Sequence, residues 1–394
     1  MNGRVAMLLS NALHSDPRVE KEAAALVAAG LEVTVIAWDR ALSGPPEEER
    51  GGVRILRVGP EARHGGGLAN LGAYRGFWRV AAEEAARLAP DAVHCHDLDT
   101  AQAGLRAARG SERRKLVLDM HELYRESNMV PQRGLPGVAA RAGVRVVERR
   151  ALPAADAVLV ANPGTLDYYG RFGVGDRLTP IENAPDAEMF RPAEERRPDR
   201  PLTVGYFGQK RYVGGLRTLM EVVDAHEDMA ALLAGGGTAA EEVAVIAAEL
   251  RRIEVRGRFA YADLPAYYAR CDVVYAVYEA GIGNVRTLFP VKMMEAMACG
   301  LPCIVSSGTW AGDYAVREGV GLAVQPGDGA ALDAALVRLR DEPGTRAEMG
   351  RRGRAIVEAG LNWQEVARRL LLVYEGLLSQ QATPAAPPRA GVYW

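Results

Sequence analysis

Residues 289–306, FPVKMMEAMACGLPCIVS, place a lysine and a carboxylate one helical turn apart, just behind a proline. Pro290 suits a helix entrance, Lys292 and Glu295 share a face at i,i+3, and Gly300 with Pro302 ends the helix. The run Cys303–Ser306 then reads as a covered strand. A lysine in the first turn runs against the helix macrodipole, which favours anions at that end. It makes sense if a ligand's anion sits there, because the free N–H groups of a helix N-terminus bind phosphate. One turn on, Glu295 offers two acceptor oxygens to the vicinal hydroxyls of a ribose. The chemistry expected of this stretch is the holding of a nucleotide-diphosphate sugar.

Other residues could join it. Tyr206-Phe-Gly208-Gln-Lys210-Arg211 follows a strand, with a glycine that lets a ligand approach and two cations at the mouth of a sheet. Ala234-Gly-Gly236-Gly closes the next strand and reads as a pocket wall, with Thr238 as a helix cap. Backbone groups of Arg258 and Phe259, after Gly257, could read the edge of a base, although a simple turn fits nearly as well. In the first half, Leu118-Asp-Met-His121-Glu122 ends a strand with a histidine and a carboxylate, a better place for contact with a reacting sugar than for a structural histidine.

His94 and His96 fall on one face of a strand and resemble metal ligands, as alternating residues in buried strands often do. Asp97-Leu-Asp99 matches a DxD metal pattern; both are read here as cap or cleft residues without metal. Asp97, Glu122 and His14 are assigned to the acceptor side. The basic and aromatic run at 74–79 and the row Arg141, Arg145, Arg149 and Arg150 read first as solvated helix faces. The alternative for them is an acceptor pocket or contact with an anionic membrane surface.

These residues need a scaffold, and the chain supplies one twice. Apolar strands at 5–10, 33–37, 55–58, 92–96, 115–119 and 157–161 alternate with amphipathic helices. The first helix has Asp16 as N-cap, Pro17 at its first position and Gly30 at its exit, with Val19, Ala23, Leu26 and Val27 facing the sheet. A proline-rich, charged stretch at 183–201 reads as a linker, and a second series follows at 203–207, 231–234, 253–255, 273–277, 303–306 and 322–324. Asn362 and Glu365 open a last helix with Trp363, Val366, Leu370, Val373 and Leu377 as its stripe. The expected fold is α/β, two facing Rossmann-like domains with doubly wound parallel sheets and a cleft between them. Residues 1–186 form the acceptor-side domain, with helix 362–379 packing back on it. Residues 187–361 form the nucleotide-sugar domain, and 380–394 a mobile tail.

Composition fits this reading. A length of 394 residues suits two domains, and a formal net charge of −2 gives no support for nucleic-acid binding. Four cysteines without a CxxC pair or disulfide framework point to a reducing cytoplasm. The opening residues look like a strand rather than a signal peptide, and no window has the apolar length of a membrane span. No GxGxxG follows the first strand, which argues against a dinucleotide-dependent oxidoreductase.

Taken together, SDPRVEKEA, VHCHDLDT, LDMHELYRES, ENAPDAEMF and above all FPVKMMEAMACGLPCIVS resemble the family-4, group-1 type of retaining GT-B-fold glycosyltransferases over residues 1–380. The resemblance implies sugar transfer from a UDP- or GDP-type donor with retention at the anomeric carbon and no essential metal or other cofactor. The acceptor would be a hydroxyl of a saccharide, a lipid-linked sugar or a small molecule. It also implies Lys210 or Arg211 together with Lys292 on the diphosphate, Glu295 on the ribose, and His121 beside the transferring sugar. Many relatives carry a glutamate eight positions before the one matching Glu295; Thr287 stands there in this chain, with Glu279 or Asn284 as candidates for the missing contact. The competing expectations are a non-catalytic sugar-nucleotide-binding subunit and a sugar-nucleotide 2-epimerase of the same fold.

Overall fold

The computed structural model of the protein describes residues 1–14, 16–63, 70–109, 111, 113–127, 130–193, 200–279 and 283–379. The tail 380–394, part of the linker and part of the 279–289 loop lie outside them. Two compact units are built from this chain. The first comprises residues 1–161, 166–181 and 367 onward; the second comprises 162–165 and 182–366.

In the first unit the strands are β1 (Arg4–Leu9), β2 (Glu32–Trp38), β3 (Glu47–Arg50), β4 (Val53–Val58), β5 (Ala92–His96), β6 (Lys115–Met120), β7 (Ala157–Val160) and β8 (Leu178–Pro180). Their order is β3-β4-β2-β1-β5-β6-β7-β8, and the ladder is parallel except where β3 pairs antiparallel with β4. The second unit holds β9 (Leu202–Phe207), β10 (Met229–Ala234), β11 (Ile253–Arg256), β12 (Val273–Ala276), β13 (Cys303–Ser306) and β14 (Gly321–Val324). These lie in the order β11-β10-β9-β12-β13-β14, all parallel. The strand order reverses at β1/β5 in one sheet and at β9/β12 in the other, and the carboxyl ends of strands at such switch points form the crevice that binds ligands.

The two strands the sequence reading missed are edge pieces. β3 is Glu-Glu-Glu-Arg, held to β4 through Arg54–Glu47 at 2.6 Å and carrying no apolar alternation, and β8 has three residues. The unit boundary falls at 181/182 rather than 186/187, and residues 162–165 join the second unit. They are held there because Phe289 N–H donates to the side-chain oxygen of Asn162 at 2.8 Å and Gly164 abuts Trp310.

The first helix, Pro17–Ala28, has the expected Asp16 cap on Val19 N–H, but its inward face also carries Arg18 and Glu22, both buried. The closing helix, Trp363–Ser379, is started by Asn362 accepting from Glu365 N–H at 3.0 Å. Tyr374, rather than Val373, lies fully buried on its inward stripe.

Candidate functional site

In the second unit the site grows from the ends of β9, β12 and the helix Val291–Ala298. β9 finishes at Phe207 and turns through Gly208, whose φ of +129° a side chain would strain. A Cβ on Gly208 would lie 3.9 Å from the Lys292 ammonium, so the glycine and the helix's first turn meet. Pro290 caps that helix and Gly300, at φ +63°, ends it as the sequence predicts.

Lys292 is buried at 8 % exposure, its Nζ 3.7 Å from the ring centre of Tyr206 and 5.1 Å from that of Tyr278. Among the described residues its ammonium has these aromatic faces and no ion pair or hydrogen bond, while its backbone carbonyl accepts from Tyr268 O–H at 3.4 Å. Burial pulls its pKa down to about 7, against a weaker opposing pull from Glu295. Arg211 is exposed, and its charge reaches the hydroxyls of the same two tyrosines.

One expectation is corrected, and a second meets competing partners. Lys210 does not present its ammonium to the crevice: the side chain is 1 % exposed and Nζ donates to the carbonyls of Gly235 and Arg256. It ties the ends of β9, β10 and β11 together, leaving Arg211 as the exposed cation of the pair. Glu295 is not open either. It is 3 % exposed and accepts from Tyr268 O–H at 2.7 Å and from Tyr261. A ribose hydroxyl would have to compete with those phenols.

Gly236 is covered by Arg258, whose Cγ would lie 3.0 Å from an added Cβ, and Phe259 packs on Tyr267 at 5.7 Å. Glu279 lies against Gly214, at the start of the helix Val213–Asp224. Asn284 sits in the short 3-10 turn Gly283–Arg286, where its carbonyl accepts from Thr287 N–H.

In the first unit the ends of β5 and β6 bring Asp97 and His121 together. Asp97 adopts φ +62° and its Oδ1 accepts from His121 N–H at 3.1 Å. His121 Nε2 lies 2.9 Å from Asp119 Oδ2, and Nδ1 lies 3.4 Å from Asp97 Oδ2. Asp119 is a hub. Arg18 Nε donates to Oδ2 at 2.8 Å and Nη2 to Oδ1, while His96 Nδ1 sits 3.1 Å from Oδ2. Although burial alone would raise it, Arg18 and then His121 hold the Asp119 carboxyl well below its usual range. Arg18 also reaches Glu22 at 3.1 Å and the carbonyl of Ile181, and His94 Nδ1 meets Tyr374 O–H at 2.8 Å.

Glu22, His94, His96 and Asp119 bring one ligand atom each within 4.8 Å of one another. Both Asp119 oxygens, however, already receive the Arg18 guanidinium, which also pairs with Glu22 at 3.1 Å. Glu122 follows His121 and its carbonyl accepts from Tyr169 O–H; His14 is exposed, with its charge felt at Asp39. Asp99 is buried, and its carbonyl accepts from Trp78 Nε1.

Sequence reasoning missed Arg18, Asp119 and the four tyrosines around Lys292 and Glu295. Arg18 and Glu22 at i,i+4 on an otherwise apolar face were the available signal.

Residues 15–184 match the glycosyl transferase 4-like domain, and residues 201–342 match the glycosyl transferases group 1 domain. The chain belongs to the group 1 glycosyltransferases. The transferase is 30% identical over 158 residues to a GDP-mannose-dependent monoacylated alpha-(1-6)-phosphatidylinositol monomannoside mannosyltransferase from Corynebacterium glutamicum. That match covers 39% of this chain and only 41% of the relative's length. A glycogen synthase from Mycobacterium tuberculosis is 26% identical over 298 residues, 72% of this chain and 68% of its own. Among solved structures, a sucrose-phosphate synthase from Thermosynechococcus elongatus has a TM-score of 0.76 at 22% identity, covering 96% of this chain and 100% of that one. HepE of Anabaena, solved with UDP and glucose, has a TM-score of 0.70 at 16% identity, covering 94% and 99%. The fold is that of GT-B glycosyltransferases.

Proposed function

We propose that the transferase moves a sugar from a nucleotide-diphosphate donor to an acceptor hydroxyl with retention at the anomeric carbon and without a metal. The observation that carries this reading is Lys292. A lysine buried between two aromatic faces at a helix N-terminus, with no carboxylate paired to it, is suited to an incoming diphosphate. Arg211 is the second cation, and the helix end adds backbone N–H groups. The HepE structures with UDP or UDP-glucose and the GDP-mannose-dependent relative support a UDP or GDP donor. A trehalose-6-phosphate synthase of the same fold, described in terms of glycosyl transfer with retention, supports that outcome here.

In the proposed step the bond from the anomeric carbon to the diphosphate breaks as the acceptor oxygen bonds that carbon on the same face. The acceptor's proton passes to a departing phosphate oxygen, so no dedicated carboxylate base is needed. Lys292, Arg211 and the helix N-terminus stabilise the charge that grows on the leaving group.

No described helix is long and apolar enough to cross a membrane. The helix Gly134–Ala151 exposes Leu135, Val138 and Val146 beside Arg145, Arg149 and Arg150, while its one acid, Glu148, is buried. That face supports peripheral contact with anionic lipid. Cosedimentation with phosphatidylglycerol vesicles, lost in Leu135→Asp, is the expected result.

The deciding experiment is calorimetry with UDP-glucose, GDP-mannose and related donors, followed by product analysis with saccharide and lipid-linked acceptors. The expected product retains the donor's anomeric configuration. Tight binding with no turnover would favour a binding subunit, and acceptor-free interconversion of donors would favour an epimerase.

A further inference from the structure

His121 has a carboxylate oxygen against each ring nitrogen, Asp119 Oδ2 at 2.9 Å from Nε2 and Asp97 Oδ2 at 3.4 Å from Nδ1. A neutral imidazole has one N–H and one lone pair, and a lone pair facing a carboxylate is repulsive. Burial raises the Asp97 carboxyl to about 7; above that pH, with both carboxyls ionised, only the doubly protonated ring suits both neighbours. Asp119 is not the group that takes up the proton, because both of its oxygens already accept from the Arg18 guanidinium. Beside a doubly protonated His121, the His96 tautomer that suits Asp119 Oδ2 carries its hydrogen on Nδ1. The 3.2 Å separation of His96 Nδ1 and His121 Nε2 is then two donors converging on one acceptor oxygen.

We propose that Asp119, anchored by Arg18 and His96, is a positioning residue that holds His121 as an imidazolium, with Nδ1–H exchanging Asp97 for a hydroxyl of the sugar in transit. The two contacts differ in the way this requires. Nε2 is held short by a carboxylate that is fully buried, whereas Nδ1 makes the longer contact to a carboxylate that is 25% exposed. Asp97 keeps the residue in place during the exchange through the backbone bond to its Oδ1. Held this way, His121 donates a hydrogen bond and does not act as a general base.

The charged and titratable groups facing His121 are Asp97 and Asp99 after β5, Asp119 on β6, His94 and His96 on β5, and Arg18 and Glu22 from the first helix, with Glu122 acting through Asp97. Burial alone would lower the imidazole. Asp97 and then Asp119 outweigh it and bring His121 to about 9, while burial holds His94 and His96 below their ordinary value. One charged histidine thus sits beside two neutral ones within a single cluster.

The inference rests on the transferase reading for its substrate but not for its test. In ¹⁵N NMR of the histidine rings of the full chain, with His121 assigned from His121→Asn, both His121 nitrogens should be protonated at pH 7.5. In Asp97→Asn the ring should titrate at least one pH unit lower. The alkaline limb of kcat should move with it, and kcat at pH 8.5 should fall at least about threefold, with KM for the donor within twofold. A singly protonated His121 in the wild type at pH 7.5 overturns the proposal. So does an Asp97→Asn protein whose ring titration shifts while its kcat profile does not. A chain that turns over no nucleotide sugar defeats the parent reading, and ring protonation, measured without substrate, still decides the charge state.

Discussion

A lysine buried without an anion destabilises the protein that carries it. Lys292 gains some cation–π attraction from Tyr206 and Tyr278, on the order of 1–2 kcal/mol, yet its pKa still falls from 10.5 to about 7. The folded state therefore binds fewer protons than the unfolded chain between about pH 7 and 10.5. The stability penalty is full below pH 7 and fades as pH rises through that window. Lys292→Met should accordingly stabilise the protein, by up to a few kcal/mol at about 1.4 kcal/mol per pKa unit, and more at pH 6 than at pH 10. It should also lower transfer at least a hundredfold. Denaturant titrations at the two pH values check the first part. A variant less stable than wild type at pH 6 would show that the ammonium serves the fold instead. A bound diphosphate should reverse the depression, so nucleotide binding at pH 8 should take up close to one proton. Calorimetry in buffers of different ionisation enthalpy reads that number directly, and zero uptake would remove Lys292 from the diphosphate contact.

At the scale of elements, the loops after β9 and β10 lie one against the other. Lys210 N–H donates to the carbonyl of Gly236 at 2.7 Å, and Ala239 N–H to that of Lys210 at 2.9 Å. The Lys210 ammonium adds its bonds to Gly235 and Arg256. Removing that ammonium strands two carbonyls, which costs about 1–3 kcal/mol for each group left buried and unsatisfied. Lys210→Met should therefore lower the unfolding midpoint, while Arg211→Ala should leave stability unchanged and weaken nucleotide binding about tenfold. Thermal melts with and without UDP separate the two, and a stable Lys210→Met protein with lost nucleotide affinity would restore Lys210 to the diphosphate. The sequence placed both cations in this loop correctly but not their directions. Which of two adjacent side chains turns inward depends on carbonyls 25 and 46 residues away. Parallel strands were legible because burial on both faces writes a continuous apolar run. β3 was not legible, because an exposed edge of three glutamates and an arginine looks like a loop. The Arg18–Asp119 pair was hidden for a similar reason: its partners are 101 residues apart, and each looks unremarkable alone.

At the scale of the whole chain, the backbone passes between the units at 161/162, 165/166, 181/182 and 366/367, so no single cut separates them. From Ala367 on, the closing helix belongs to the first unit. Leu370, Tyr374 and Leu377 are buried on its inward stripe, Tyr374 O–H meets His94, and Leu378 packs near Gly3. Fragment 1–186, ending where the sequence alone would end the domain, therefore exposes that contact surface and loses the phenol from the buried His94. Losing three large buried side chains, at about 1.5–3 kcal/mol each, is comparable to the entire stability of an ordinary domain. The fragment expressed alone should be insoluble or molten. The same fragment fused through a flexible linker to residues 362–379 should give a cooperative unfolding transition and the dispersed NMR spectrum of a folded protein. Introducing Tyr374→Phe into that fusion should lower its midpoint by the equivalent of about 1 kcal/mol, the worth of one hydrogen bond to a buried ring nitrogen. A fragment 1–186 that folds cooperatively without the helix would mean that the first sheet is self-sufficient and that the returning helix contributes little to its stability.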